Sequence, residues 1–216
     1  MAEMIYEERR IVTKRGKTEE YIERFREQTT SSPESEQGEV LRLVAGLIGA
    51  PATELLAVSR FPDVAAWERA QGRLSLDQMD VVESEDVRLL RAIASRPKAV
   101  IPAEDSRAVY GYRRFWIDPS DLDDFVRYSE EGIWPRVEAQ GACILGLWTL
   151  VASTVPLEIV LMTGYHGPAH WEQTRSNQPL PPGFDEQAVE QSRQMYISRY
   201  ELPLRSWVQL MRNVEI

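Results

Sequence analysis

Apolar and polar positions alternate with the two-residue period of a strand over Val109–Ile117. Val109, Phe115 and Ile117 fall in one phase, and Tyr110, Tyr112, Arg114 and Trp116 fall in the other. The apolar set suits a helix-covered face, so the second set is expected to turn toward a central cavity. Asp118-Pro119-Ser120-Asp121 then places an acidic cap before a proline, the signature of a helix start. The helix that follows carries Leu122, Phe125, Val126, Ile133 and Val137 on its buried side and is expected to stop at Gly141. Two strands, 143–152 and Leu157–Tyr165, flank a turn around Pro156, and Gly167-Pro168 opens a short helix with Trp171. A further helix is predicted over 185–200 and a closing strand over 207–211, giving β-α-β-β-α-β with one extra helix.

The same order is written earlier in the chain. A shift of 104 positions lays Tyr6, Arg9 and Arg10 on Tyr110, Arg113 and Arg114 without a gap. It also lays Leu41 and Leu43 on Leu145 and Leu147, Glu54 on Glu158, and Trp67-Glu68 on Trp171-Glu172. The fold class expected is therefore α+β: two tandem ferredoxin-like βαββαβ repeats with antiparallel sheets, over residues 1–104 and 105–216. The first repeat is expected to close near 98–101. The copies part after the Trp-Glu pair, where the second inserts the proline-rich SNQPLPPGFD, and long irregular loops often serve function. They part in aromatic content too, with 5 aromatic residues up to position 104 and 14 after it. Trp116, Trp134 and Trp148 stand where the first copy has Val12, Thr30 and Val44, so the second half is where a ligand pocket is expected.

Charge and composition narrow the partners. A net charge of −9 and a pI near 4.9 disfavour a polyphosphate, so no nucleic-acid partner is expected. The N-terminus mixes acids and bases without the apolar stretch of a secretory signal, which points to the cytoplasm. The longest uncharged run, 139–157, holds Gln140, Gly141, Gly146 and Pro156 and reads as a buried hairpin, so no membrane partner is expected. Cys143 is the one cysteine of the chain and reads as a small buried hydrophobe.

The opening MIYEERRIVTKRGKTEEYIERF, with Tyr6-Glu7 and Arg9 on a strand and Gly16-Lys17 before a helix, resembles the first strand and helix of NIPSNAP-family domains. GIWPRVEAQGACILGLW resembles that family through Trp134-Pro135, Gly141, Gly146 and Trp148, and RFPDVAAWE and YHGPAHWE resemble its post-strand helix. The resemblance implies a dimeric α/β-barrel arrangement, whose superfamily includes cofactor-free oxygenases, small-molecule isomerases and haem enzymes. It also leaves open a homodimer.

Both copies send a tyrosine and an arginine to the presumed cavity face: Tyr6 and Arg10, then Tyr110, Tyr112 and Arg114. A phenol and a guanidinium together suit a small aromatic or enolic ligand. Packing tyrosines and an arginine paired to an acid such as Glu8 would leave the same trace. His166 and His170 lie four residues apart after the third strand, and an imidazole suits proton transfer near neutrality. Tyr112, Arg114 and His166 are thus the candidate catalytic residues, and Tyr6, Arg10, Tyr110, Trp116, Trp134, Trp148 and Phe184 the candidate ligand contacts. No HExxH or cysteine-rich pattern supports a metal, and no phosphate loop or Gly-x-Ser-x-Gly elbow occurs. The functional expectation is a cofactor-independent oxygenase or isomerase. The alternatives are a non-catalytic binding or interaction module and, less favoured, a haem protein using His166.

Overall fold

The computed structural model describes residues 4–31, 38–74, 80–152, 155–175 and 186–216. Phe184 and the rest of the proline-rich insertion lie outside the described residues. The chain divides into two compact units, Met1–Arg91 with Met211–Ile216, and Ala92–Leu210.

In the first unit the alternating segment Ile5–Thr13 forms strand β1, followed by helix α1 (Thr18–Ser31), β2 (Glu39–Ile48), β3 (Glu54–Phe61), helix α2 (Val64–Leu74) and β4 (Val82–Ala92). The antiparallel order is β4–β1–β3–β2. Ile11, Leu43, Leu55 and Ala57 project from one sheet face onto Tyr21, Ile22 and Phe25 of α1, which removes them from water and forms the core. The closing strand is β4, not 98–101, which lies in turns and coil. Its sequence VESEDVRLLRA hides the strand, because the exposed Glu83, Glu85 and Asp86 interrupt the apolar alternation and only Leu90 is fully buried.

The same strand order recurs in β5 (Val109–Ile117), β6 (Cys143–Leu150) and β7 (Leu157–Tyr165) of the second unit with β8 (Arg205–Val214), whose residues from Met211 on belong to the first unit, in the order β8–β5–β7–β6. After β5, Asp118 caps the chain reversal by accepting from the Ser120 N–H at 2.9 Å, with Pro119 behind it. Helix α3 (Leu122–Arg127) runs into a π-turn over Tyr128–Ile133 and then α4 (Trp134–Ala139). Pro135 explains the turn: it has no N–H for the Glu131 carbonyl and its ring would collide with it. The ladder shifts, and the Trp134 N–H donates to the Ser129 carbonyl five residues back. Phe115, Ile117, Ile144, Leu147, Leu157 and Ile159 of the sheet pack on Phe125 and Trp134 of this helical arm.

Short helix α5 (Pro168–Gln173) and the additional helix α6 (Glu186–Glu201) complete the cover. Helix α6 lies tightly on the π-turn, where a Cβ at Gly132 would stand 2.4 Å from Met195 Cβ, and the Ser192 hydroxyl donates to the Gly132 carbonyl. Among the described residues no helix is long and apolar enough to cross a membrane.

The Gly-x-Trp pattern of β6 also has a steric cause. The Trp148 indole fills the space a Cβ on Gly146 would take, coming within 2.1 Å of that position. Gly146→Ala is expected to lower the unfolding free energy by about 1–3 kcal/mol through overpacking, read from the urea midpoint at unchanged slope.

A candidate ligand cavity in the second unit

The face of β5 opposite the helices carries closely packed side chains. Tyr110 and Tyr112 are fully buried, and the Tyr112 ring lies 5.8 Å from that of Trp207. The Arg114 guanidinium stands 5.9 Å from the Tyr112 ring and 5.8 Å from the Trp207 ring, and its Nη2 pairs with Glu158 Oε1 at 2.7 Å. The first unit has the same ion pair, Arg10 with Glu54, at the same offset. An acid that partners each of these arginines comes from the neighbouring strand, diagonally across the ladder. Tyr6 is buried with its hydroxyl directed at Met4, and burial raises its pKa. The Tyr110 hydroxyl accepts from the Arg107 N–H at 3.2 Å. Trp148 is buried on Gly146, and Trp116 is half-buried beneath the Arg205 guanidinium at 3.9 Å.

His166 is exposed, its N–H donating to His170 Nδ1 at 3.0 Å, while His170 Nε2 lies 2.8 Å from the Gln140 carbonyl. It is not among the described residues that line the cavity described next.

That cavity lies on the opposite, helix-covered face and measures about 510 Å³, within the usual range for small-molecule sites. Arg113 and Phe115 of β5, with Leu161, Thr163 and Tyr165 of β7, form its sheet side. Trp134 and Arg136 of α4, Trp171 of α5 and Tyr196, Arg199 and Tyr200 of α6 close over it, and Arg205 stands on β8. Of the residues expected to contact a ligand, Trp134 lines this cavity. Tyr112, Arg114, Tyr110, Trp116 and Trp148 do not.

Five arginines line the cavity and, among the described residues, no carboxylate does. Three have evident partners: Arg136 donates to the Arg175 carbonyl at 3.0 Å, Arg175 stands over Trp171 and pairs with Glu172 at 3.5 Å, and Arg205 stacks on Trp116. Arg199 donates through Nε to Ser129 at 2.7 Å and lies 4.6 and 4.3 Å from the Phe115 and Phe125 rings, but its Nη2 is buried without a hydrogen-bond acceptor among the described residues. The Trp134 Nε1 is in the same position. Desolvation, reinforced by Arg113, pulls the Arg199 pKa down to about 9. Burial likewise lowers that of Arg113.

The first unit supplies an internal control. At the corresponding place its void is about 20 Å³, room for no more than a water. Arg9, the counterpart of Arg113, is held there by Glu7 at 2.7 Å, by Glu85 at 2.7 Å and by Gln71 at 2.6 Å. Burial works against its charge, and the bonds from Glu7 and Glu85 more than offset that, raising the Arg9 pKa where that of Arg113 is lowered. Counted at the 104-residue offset, Glu7 becomes Gly111, Gln71 becomes Arg175 and Phe25 becomes Ser129. The acid is gone, and the exchange of Phe25 for Ser129 provides the oxygen that receives Arg199.

No family model matches the chain, and no curated protein does. Solved structures match along nearly its whole length. A candidate monooxygenase from Fusobacterium nucleatum superposes with a TM-score of 0.66 at 13% identity, over 99% of this chain and 94% of that one. The fold is that of the dimeric α/β barrels. An anthrone oxidase-like protein gives 0.64 at 9% identity over 99% and 92%. A candidate monooxygenase from Lactobacillus acidophilus gives 0.62 at 10% over 98% and 94%. At such identities the likeness is one of fold.

Arg113 carried a signal that strand alternation alone contains. It is in phase with Val109, Phe115 and Ile117, so the helix-covered face of β5 bears a cation among apolar residues. Its missing partner was legible in the exchange of Glu7 for Gly111. Arg199 had no such signal, because α6 has no counterpart in the first copy.

Proposed function

We propose that the chain is a NIPSNAP-like, cofactor-independent small-molecule enzyme of the oxygenase or isomerase class, and that an enolisable aromatic occupies the cavity of the second unit. The observation that carries this reading is a 510 Å³ cavity walled by aromatic rings and lined by five arginines, with no carboxylate among its described lining residues. Cations fixed in a water-poor site favour the anionic form of an enol or phenol, because that is where negative charge develops when the proton leaves. The anion then either takes a proton back on carbon, which is isomerisation, or reacts with dioxygen. In the second case a CH₂ group and O₂ give a carbonyl and water. No imidazole lines the cavity among the described residues, so the reading suits substrates acidic enough to ionise with solvent as base. That same observation favours the second reading, a binding module using the same cavity without turnover. Whole-chain likeness to an anthrone oxidase-like fold fits the enzyme.

Oxygen uptake and ketone–enol interconversion measured with anthrone and related enolisable ketones separate the two. The expected result is turnover above the buffer rate that falls at least tenfold in Arg113→Met. Saturable binding with no turnover in either assay would leave only the binding module. The homodimer belongs to this proposal as well, and the mass in solution tests it.

A further inference from the structure

Of the exchanges between the two copies, that of Glu7 for Gly111 states what the second is missing. In the first unit the Glu7 carboxylate, 2% exposed, accepts from Arg9 Nε at 2.7 Å, Arg9 Nη2 at 3.2 Å, Trp67 Nε1 at 2.6 Å and Gln71 Nε2 at 2.7 Å. Every one of those donors has a counterpart at the 104-residue offset: Arg113, Trp171 and Arg175. All three counterparts line the large cavity. The acceptor alone has gone, since Glu7 is answered by Gly111.

We infer that the second unit binds the carboxylate of an aromatic acid, and that this ligand carboxylate takes the place Glu7 fills in the first unit, received by Arg113, Trp171 and Arg175. This rests on the proposed cavity and names what it recognises.

Three further observations fit a ligand carboxylate and not an empty defect. Buried donors are almost always satisfied, yet Arg199 and Trp134, two of the residues that line this cavity, each hold a buried donor, Nη2 and Nε1, with no acceptor among the described residues. A carboxylate offers about four lone-pair sites and matches a guanidinium fork, so it can serve several donors together. The rest of the wall is aromatic and aliphatic, from Phe115, Leu161, Tyr165, Trp171 and Tyr196, which suits a ring attached to the acid. The volume exceeds what a bare carboxylate needs, and the first unit shows that this recess closes to about 20 Å³ when the acid is part of the chain.

Calorimetric titration of the intact chain with 2-naphthoate and with 2-naphthamide, matched in size and differing in charge, tests the inference. Naphthoate is expected to bind at least tenfold more tightly than the amide, and Arg113→Met is expected to remove that preference. Gly111→Glu supplies the carboxylate in cis and is expected to abolish naphthoate binding. Its new Cβ meets the Tyr165 ring at 3.1 Å, so the ring must yield by a few tenths of an ångström, and circular dichroism confirms that the variant is folded. Should Gly111→Glu fail to fold, Arg113→Met and Trp171→Phe decide alone. Equal affinity for acid and amide, or naphthoate binding that survives Arg113→Met, overturns the inference. Turnover of neutral enolisable ketones without acid preference would keep the enzyme and reject the carboxylate, while naphthoate binding without any turnover would do the reverse.

Discussion

Glu7→Ala is expected to lower the unfolding free energy by about 3–5 kcal/mol, the usual consequence of removing one partner of a buried ion pair. The size follows from what would be stranded. Glu7 is 2% exposed and Arg9 3% exposed, and the carboxylate receives hydrogen bonds from Arg9, Trp67 and Gln71. Its loss leaves the buried Arg9 charge with Glu85 and Gln71, and takes from the part-buried Trp67 indole N–H its acceptor. Urea unfolding read by tryptophan fluorescence measures the loss. A change under 1 kcal/mol would mean that Arg9 relaxes to solvent and that the first copy does not depend on its internal acid. Glu7→Gln separates shape from charge: it keeps an acceptor oxygen, and it should cost clearly less than alanine yet more than a surface substitution.

The scaffold was readable because its signals are local and repeated. Alternation marks β5 at its observed bounds, Asp118-Pro119 marks the following helix start, and the 104-residue offset brings Arg10 and Glu54 onto Arg114 and Glu158, which form the same ion pair in both units. Where a strand is held by charged cross-strand partners, that signal fails. β4 carries Glu85 toward Arg9, so its polar sequence conceals a strand that the sequence pattern places too far along the chain. The site was legible only in part, for a related reason. Aromatic excess marks the second half, and on the face of β5 where tyrosines and Arg114 alternate the arginine pairs with Glu158. Cavities open where packing is left incomplete, and pairing decides that. In the proposed site the residue whose partner is exchanged is Arg113, with Gly111 in place of Glu7. Arg199 lay beyond any such comparison, since it arrives on a helix the first copy lacks.

Arg199→Met is expected to stabilise the empty protein by about 1–4 kcal/mol, the range found when apolar groups replace buried charge. Methionine keeps an unbranched stem against Phe115 and Phe125, and Ser129 stays satisfied because its hydroxyl still donates to the Phe125 carbonyl at 2.6 Å. What disappears is a buried cation beside a second one, Arg113, and an Nη2 with no acceptor. The pH dependence has a definite sign. Because the folded-state pKa of Arg199 is depressed to about 9, the unfolded chain binds more protons than the folded one between that pH and the ordinary arginine value, so wild-type stability gains with rising pH in that window. Below about pH 9 the penalty is fully present, and the advantage of Arg199→Met should be constant there and shrink above it. Titrating groups remote from Arg199 are common to both proteins and cancel in the difference, whereas Arg113 loses a neighbouring cation in the variant and does not. Chemical denaturation at pH 7, 8, 9 and 10 measures it. A variant less stable than wild type at pH 7 would mean that the Arg199 contacts with Ser129 and the two phenyl rings outweigh the cost of its burial. The same substitution removes a cation that faces a bound carboxylate, so the variant that gains stability is expected to lose naphthoate affinity. A site kept electrostatically unsatisfied for a ligand behaves in this way, whereas a packing fault would lose nothing on repair.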